Sequence, residues 1–102
     1  MDKRTNRLGR GVILVASDKL TVGNSARMRK WVLSETKKKE IDLTIDFSNT
    51  RFIDSAGLEI LLDLSKEIRD RGGNMTLLNV DRKLRSLMGL VELDSWIVFQ
   101  DK

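Results

Sequence analysis

The chain contains neither cysteine nor histidine. The absence of cysteine excludes a disulfide framework, a thiolate metal site and a cysteine nucleophile. The absence of histidine removes the usual general base, the commonest metal ligand and every catalytic triad built on imidazole. The composition therefore argues against an enzyme, and we expect a chain that works without catalysis, cofactor or bound metal.

Proline is also absent, and the sequence has neither an internal repeat nor a low-complexity segment. A chain of 102 residues is long enough for one hydrophobic core and too short for two, so we expect a single domain. The apolar run Gly11–Ala16 is shorter than a signal-peptide core of about 7 to 15 residues and far shorter than the roughly 20 needed to span a bilayer. We therefore expect a cytoplasmic protein without membrane insertion.

Positive charge is in excess, with a formal net charge of +4. Six basic residues cluster on the first predicted helix. They are Arg27, Arg29, Lys30, Lys37, Lys38 and Lys39. A cluster of this kind is usually a solvated helix face. Because neither stacking aromatic residues nor a recognisable reading motif accompanies the charge, we expect no direct binding of nucleic acid.

Three segments have the pattern of strands. "GVILVA", residues 11–16, is a continuous apolar run typical of a buried strand, and "NMTLLNV", residues 74–80, predicts another. "IDLTIDF", residues 41–47, alternates, which predicts one buried face. That face carries Ile41, Leu43, Ile45 and Phe47. The tail "LDSWIVFQ", residues 93–100, predicts extended or irregular structure.

Three helices are predicted between and after these strands. The first is capped by Asn24 or Ser25 and runs to about Lys39, with Trp31 at the margin of its buried stripe. The second runs from Ser55 to the stop at Gly72 and Gly73, and a short third helix is capped by Asp81. The inward residues are Met28, Val32 and Thr36; then Leu58, Leu61, Leu62, Ser65 and Ile68; then Leu84, Leu87 and Met88. The order βαβαβα predicts an α/β fold with a parallel or mixed sheet.

The turn "NTRFIDS", residues 49–55, leads from the end of a strand to the start of a helix, where open α/β sheets commonly present their sites. Asp54 is placed to be the N-cap, and the hydroxyl of Ser55 then lies near the positive end of the helix dipole. Gly57 allows another segment of backbone to approach closely. Capping alone would explain the Asp-Ser pair, so the local pattern leaves the role of Ser55 open.

Two longer stretches, "FIDSAGLEILL" and "RDRGGNMTLLNVDRKLRSLMGL", resemble the STAS domain family. Members of this family include bacterial anti-sigma-factor antagonists and the cytoplasmic domains of sulfate transporters. The resemblance extends from about Gly11 to Phe99. It implies an α/β fold formed by a single STAS-like domain over residues 1–102, with a mixed four- to five-stranded sheet and helices packed mainly on one face. Residues 1–8 would supply a short or frayed first strand.

The resemblance also implies a phosphorylation switch at Ser55. In antagonists of the family, the serine after the aspartate is phosphorylated by an anti-sigma factor that is a serine kinase of the histidine-kinase-like ATPase fold. The unmodified protein would bind that kinase, the phosphorylated protein would be released, and a serine phosphatase of the metal-dependent type would reset it. The implied partner-binding residues are Asp54, Ser55, Ala56, Gly57, Leu58 and Glu59. Thr50, upstream in the same turn, is the second candidate phosphoacceptor.

Three alternatives are weighed against this interpretation. Antagonists usually have a hydroxyl residue where this chain has Ala56, and glycine where it has Glu59; Ala56 favours a STAS subunit that braces the ATPase of an ABC-type transporter. A phospho-aspartate receiver is suggested by Asp18 and Asp46, but a receiver needs paired acids for Mg²⁺, a hydroxyl and a lysine at later strand ends, and a longer chain. A serine hydrolase would need a lysine as the base for Ser55, and "DSAG" is not the Gly-x-Ser-x-Gly elbow.

Overall fold

The computed structural model describes residues 2–5, 11–37 and 42–101. Within these ranges the chain forms a five-stranded sheet, a second sheet of two short strands, three α-helices and one 3₁₀ turn. In chain order the elements are β1 (Asp2–Thr5), β2 (Gly11–Val15), β3 (Lys19–Leu20), α1 (Ser25–Glu35), β4 (Asp42–Asp46), β5 (Phe52–Ile53), α2 (Ser55–Asp70), β6 (Met75–Leu78), α3 (Arg82–Leu90), the 3₁₀ turn (Leu93–Ser95) and β7 (Val98–Gln100).

The large sheet is mixed and has the strand order β1-β2-β4-β6-β7. Strand β1 runs antiparallel to β2, and the other neighbours are parallel. Strand β1 lies within the segment 1–8 that was expected to supply the first strand; residues 1 and 6–8 of that segment lie outside the described residues. The predicted α/β class and the mixed sheet of four to five strands are confirmed.

One face of the large sheet forms the floor of the core. Val12 and Leu14 of β2 are buried and lie in register with the buried Leu43 and Ile45 of β4. The residues between them along each strand are only half-buried. Since all three α-helices contribute buried side chains to the same core, they pack mainly against the first face, as expected.

Helix α2 buries a different stripe from the one its pattern predicted. Leu61, Ser65 and Ile68 are buried as expected, whereas Leu58 and Leu62 are only half-buried because they lie toward the exposed side. Leu64 is fully buried and was missed by the predicted stripe. The half-buried pair matters for the site, because both leucines line a depression on the surface.

Helix α1 is shorter than predicted. It ends at Glu35 instead of about Lys39, and the buried hydroxyl of Thr36 donates to the carbonyl oxygen of Val32 over 2.7 Å at its end. Lys38 and Lys39, together with Ile41 of the next predicted strand, lie outside the described residues. Met28 and Val32 are buried as predicted, and Trp31 is half-buried against the core.

The predicted capping of α1 is wrong in its mechanism. Asn24 occupies the N-cap position but its side chain accepts no hydrogen bond from the helix. Instead, its Oδ1 accepts from the amide of Thr21 over 2.8 Å and its Nδ2 donates to the carbonyl of Lys19 over 2.8 Å. Asn24 therefore braces the turn before the helix, because a short polar side chain can bond either to the helix or to the preceding backbone.

Helix α3 begins as the sequence indicates. The Asp81 side chain accepts from the amide of Lys83 over 2.9 Å, which confirms it as the N-cap. Leu84 and Met88 are buried, and Leu87 is half-buried. No helix within the described ranges is both long enough and apolar enough to cross a membrane.

Candidate functional site

The two-stranded sheet fixes the turn that precedes α2. Strand β3 pairs in parallel with β5, so that Leu20 lies opposite Ile53. The amide of Arg51 donates to the carbonyl of Asp18 over 2.7 Å, and the amide of Asp54 donates to the carbonyl of Leu20 over 3.1 Å. The backbone from Arg51 to Asp54 is therefore held against a segment more than 30 residues away in sequence.

Asp54 is the N-cap of α2, as predicted. Its Oδ1 accepts from the amide of Gly57 over 2.9 Å, and its Oδ2 accepts from the amide of Val22 over 2.9 Å. The hydrogen bond from Val22, followed by that from Gly57, lowers the pKa of the Asp54 carboxyl below its usual value of 3.8. The carboxylate is therefore ionised at neutral pH, and its two oxygens join two different segments.

Gly57 sits where a side chain cannot be accommodated. A Cβ atom at this position would lie 2.5 Å from the carbonyl oxygen of Leu20 and 2.8 Å from a methyl group of Ile53. The close approach of another backbone segment, expected from the sequence, is therefore confirmed. The contact brings the start of α2 directly onto the end of β3.

Ser55 is exposed and is the first residue of α2. It lines a shallow depression of about 260 Å³ whose other lining residues are Leu58, Glu59, Leu62 and Val91. A hydroxyl at a helix start, beside an apolar depression, can be reached by another protein and can carry an anion favoured by the helix dipole. Glu59 is exposed at the rim, so any added negative charge would lie between two acids.

The second candidate hydroxyl is far less accessible. Thr50 is fully buried, and its Oγ1 donates to the carbonyl of Ser17 over 2.7 Å. The two hydroxyls of the turn therefore differ in accessibility. Ser55 is exposed, whereas Thr50 is buried and hydrogen-bonded to Ser17.

The predicted partner-binding residues contribute unequally. Ser55 and Glu59 are exposed, Asp54, Ala56 and Leu58 are half-buried, and Gly57 is buried beneath them. Two residues near the site were missed by sequence reasoning. Val22 is 78% exposed and reaches the site through its amide, and Val91 is 46% exposed and lines the depression. The sequence signal for Val91 was its apolar side chain just after the predicted third helix. No sequence signal pointed to Val22.

The basic cluster on α1 is partly neutralised by α2. Arg29 donates from Nε to Oδ2 of Asp63 over 2.7 Å. Arg27 and Trp31 line a separate depression of about 350 Å³ together with Ser17 and Asn24. The part of the cluster that lies on α1 thus contacts α2 through Arg29, whose side chain is partly exposed, in keeping with its interpretation as a solvated surface.

The receiver and hydrolase alternatives gain no support from the site. Within the described residues, no group of three acids is placed to hold a metal ion. Asp46 uses its Oδ1 to accept from the amide of Ser48 over 2.9 Å. The described residues that line the depression beside Ser55 include an acid but no lysine to act as its base.

Comparison with known proteins identifies the family. The STAS domain model matches residues 2–102. A Thermotoga maritima protein provisionally named an anti-sigma factor antagonist is 28% identical over 91 residues, covering 88% of this chain and 80% of that protein. A crystal structure under the same provisional name from Thermotoga maritima matches with a TM-score of 0.86 at 25% identity, covering 99% of this chain and 86% of that one.

The unphosphorylated form of the anti-sigma factor antagonist SpoIIAA matches with a TM-score of 0.76 at 18% identity, covering 96% of this chain and 87% of that one. At this identity the likeness shows the fold alone. Because the family model covers nearly the whole chain, this protein belongs to the STAS domain family.

Proposed function

We propose that this protein is an anti-sigma-factor antagonist, a binding module without catalysis of its own that acts in a cytoplasmic partner-switching system. Unmodified, it binds an anti-sigma factor that is a serine kinase of the histidine-kinase-like ATPase fold, and the sigma factor is released. Phosphorylation of Ser55 ends the complex, and a metal-dependent serine phosphatase restores the unmodified protein.

The observation that carries this proposal is the position of Ser55. Its side chain is exposed at the start of α2, beside the depression lined by Leu58, Leu62 and Val91. A partner that covers this depression would bury Ser55 in the contact. The kinase would transfer the γ-phosphoryl group of ATP to the Ser55 Oγ, whose proton leaves, and would release ADP.

The effect of the phosphate follows from its neighbours. In the free protein, an anion at the helix start gains roughly 0.3 to 1 kcal/mol from the dipole and the free amides, so folding is preserved. In the complex, the same charge is buried beside ionised Asp54 without a dedicated partner, which typically costs about 2 to 5 kcal/mol. A cost of about 2 kcal/mol already weakens binding about 30-fold.

The names of the relatives support the antagonist role. The Thermotoga maritima relative is provisionally named an anti-sigma factor antagonist. The structure of the antagonist SpoIIAA is that of its unphosphorylated form. Applied to this chain, the name of the Thermotoga maritima relative supports the antagonist role.

The test is phosphoryl transfer by an anti-sigma kinase of the same organism, measured with radiolabelled ATP. The parent protein and Ser86→Ala, which removes an exposed hydroxyl on α3, should be labelled equally. Ser55→Ala should not be labelled. Equal labelling of Ser55→Ala would show that the phosphoacceptor lies elsewhere.

A further inference from the structure

The Asp54 carboxylate connects the start of α2 to the turn between β3 and α1. One oxygen caps α2 through the amide of Gly57, and the other receives the amide of Val22. Ser55 follows Asp54 directly, so a charge on Ser55 is placed next to a carboxylate that already has two hydrogen-bond partners. The first of those partners belongs to the helix, and the second belongs to the turn between β3 and α1.

That turn, Thr21–Asn24, is hydrogen-bonded within itself, to β3 through Asn24 Nδ2 and the carbonyl of Lys19, and to α1 through the carbonyl of Thr21 and the amide of Ser25. The amide of Thr21 donates to Oδ1 of Asn24, the amide of Gly23 donates to Oγ1 of Thr21 over 3.2 Å, and the amide of Asn24 donates to the carbonyl of Thr21 over 3.0 Å. Among the described residues, the bond from the Val22 amide to Asp54 is the only hydrogen bond between the turn and the start of α2. Loss of this bond would therefore leave the described part of the turn without a hydrogen bond to the start of α2.

The turn also displays an apolar side chain. The side chain of Val22 is 78% exposed, and its amide is hydrogen-bonded to Asp54. The neighbouring backbone contact, from the Asp54 amide to Leu20, lies one residue before the turn and would stay in place. A displacement of the turn would consequently relocate Val22 relative to Ser55 without unpairing β3 from β5.

We propose that Asp54 is a positioning residue that couples the charge state of Ser55 to the turn Thr21–Asn24, so that phosphorylation loosens this turn and relocates Val22. The inference rests on the proposed function, because it assumes that Ser55 is the modified residue. A phosphate on Ser55 repels the Asp54 carboxylate and competes with it for the free amides of the helix start. The hydrogen bond from the Val22 amide to Asp54 then breaks. No other hydrogen bond between described residues joins the turn to the start of α2.

The experiment measures amide hydrogen exchange and NMR chemical shifts at Val22 in the isolated protein. Loss of a hydrogen bond to a charged acceptor should speed exchange at Val22 by about tenfold or more. We expect this acceleration in Ser55→Asp, and in Asp54→Ala, which removes both acceptor oxygens. Ser55→Asn has nearly the shape of Ser55→Asp without its charge, and Asp81→Ala removes the equivalent N-cap of α3. Neither control should affect Val22.

Equal exchange at Val22 in Ser55→Asp and Ser55→Asn would overturn the coupling, whatever happens to partner binding. Unchanged exchange at Val22 in Asp54→Ala would overturn the role of the Val22 contact. The proposed function fails separately, if the parent protein and Ser55→Asp bind the anti-sigma kinase equally. The two ideas are therefore distinguishable, because the exchange measurement needs no partner.

Discussion

Gly57 packs so closely on Leu20 that a Cβ atom at position 57 would lie 2.5 Å from the Leu20 carbonyl oxygen. This contact joins the start of α2 to the end of β3, and thereby sets the position of Ser55 relative to the turn that carries Val22. The carbonyl is backbone and is itself bonded to the Asp54 amide, so it has little freedom to retreat.

Gly57→Ala should therefore destabilise the domain. Overpacking of this kind typically costs about 1 to 3 kcal/mol, and each kcal/mol lowers the thermal midpoint of a domain of this size by roughly 4 to 8 °C. Thermal unfolding followed by circular dichroism measures the change. The matched control is Gly89→Ala in α3, where a Cβ atom would meet no atom within 4 Å. Equal midpoints for the two variants would contradict the tight contact.

The stability contribution of Asp54 should depend on pH. Because its folded pKa is lowered below the usual 3.8, the contribution is present above about pH 4 and is lost as the pH falls through the folded pKa. Chemical denaturation of the parent and Asp54→Asn proteins at a series of pH values should show their difference in unfolding free energy shrinking below pH 4. A difference that stays constant from pH 6 to pH 2 would show that the hydrogen-bonded carboxylate does not have a lowered pKa.

The start of α2 was predictable because its signals are local. An N-cap acid followed by a helical apolar pattern needs only adjacent residues, and the structure confirms Asp54 as the cap and Ser55 as the first helical residue. The alternation in β4 and the cap at Asp81 were found for the same reason.

The rest of the site depends on contacts that local patterns do not encode. Strands β3 and β5 have two residues each, too short for any alternation to show. The bond from Val22 to Asp54 spans 32 residues of sequence. Asn24 has the residue type of an N-cap, yet it bonds to the preceding turn because that backbone lies within reach of the same side chain. These features depend on tertiary packing, and so they could not be predicted from the local sequence pattern.

Val91 should contribute to partner binding because it lines the depression beside Ser55. Val91→Ser should weaken binding of the anti-sigma kinase several-fold with little change in the thermal midpoint, since the side chain is 46% exposed in the free protein. Val98→Ser is the control, because Val98 is 50% exposed but lies on the edge strand β7. Cross-links confined to the basic segment from Arg27 to Lys37 would instead place the partner on the basic surface.

The central claim is that a negative charge on Ser55 dissociates the complex with the anti-sigma kinase and leaves the fold intact. Calorimetric titration tests this claim most directly. The isolated anti-sigma kinase is titrated with the parent, Ser55→Asp and Ser55→Asn proteins, and melting curves are recorded for each. We predict that Ser55→Asp binds about 30-fold or more weakly than the parent, with a midpoint shifted by only a few degrees, and that Ser55→Asn binds more tightly than Ser55→Asp. Equal affinities of the parent and Ser55→Asp would contradict the account and leave Ser55 as a residue of the helix cap alone.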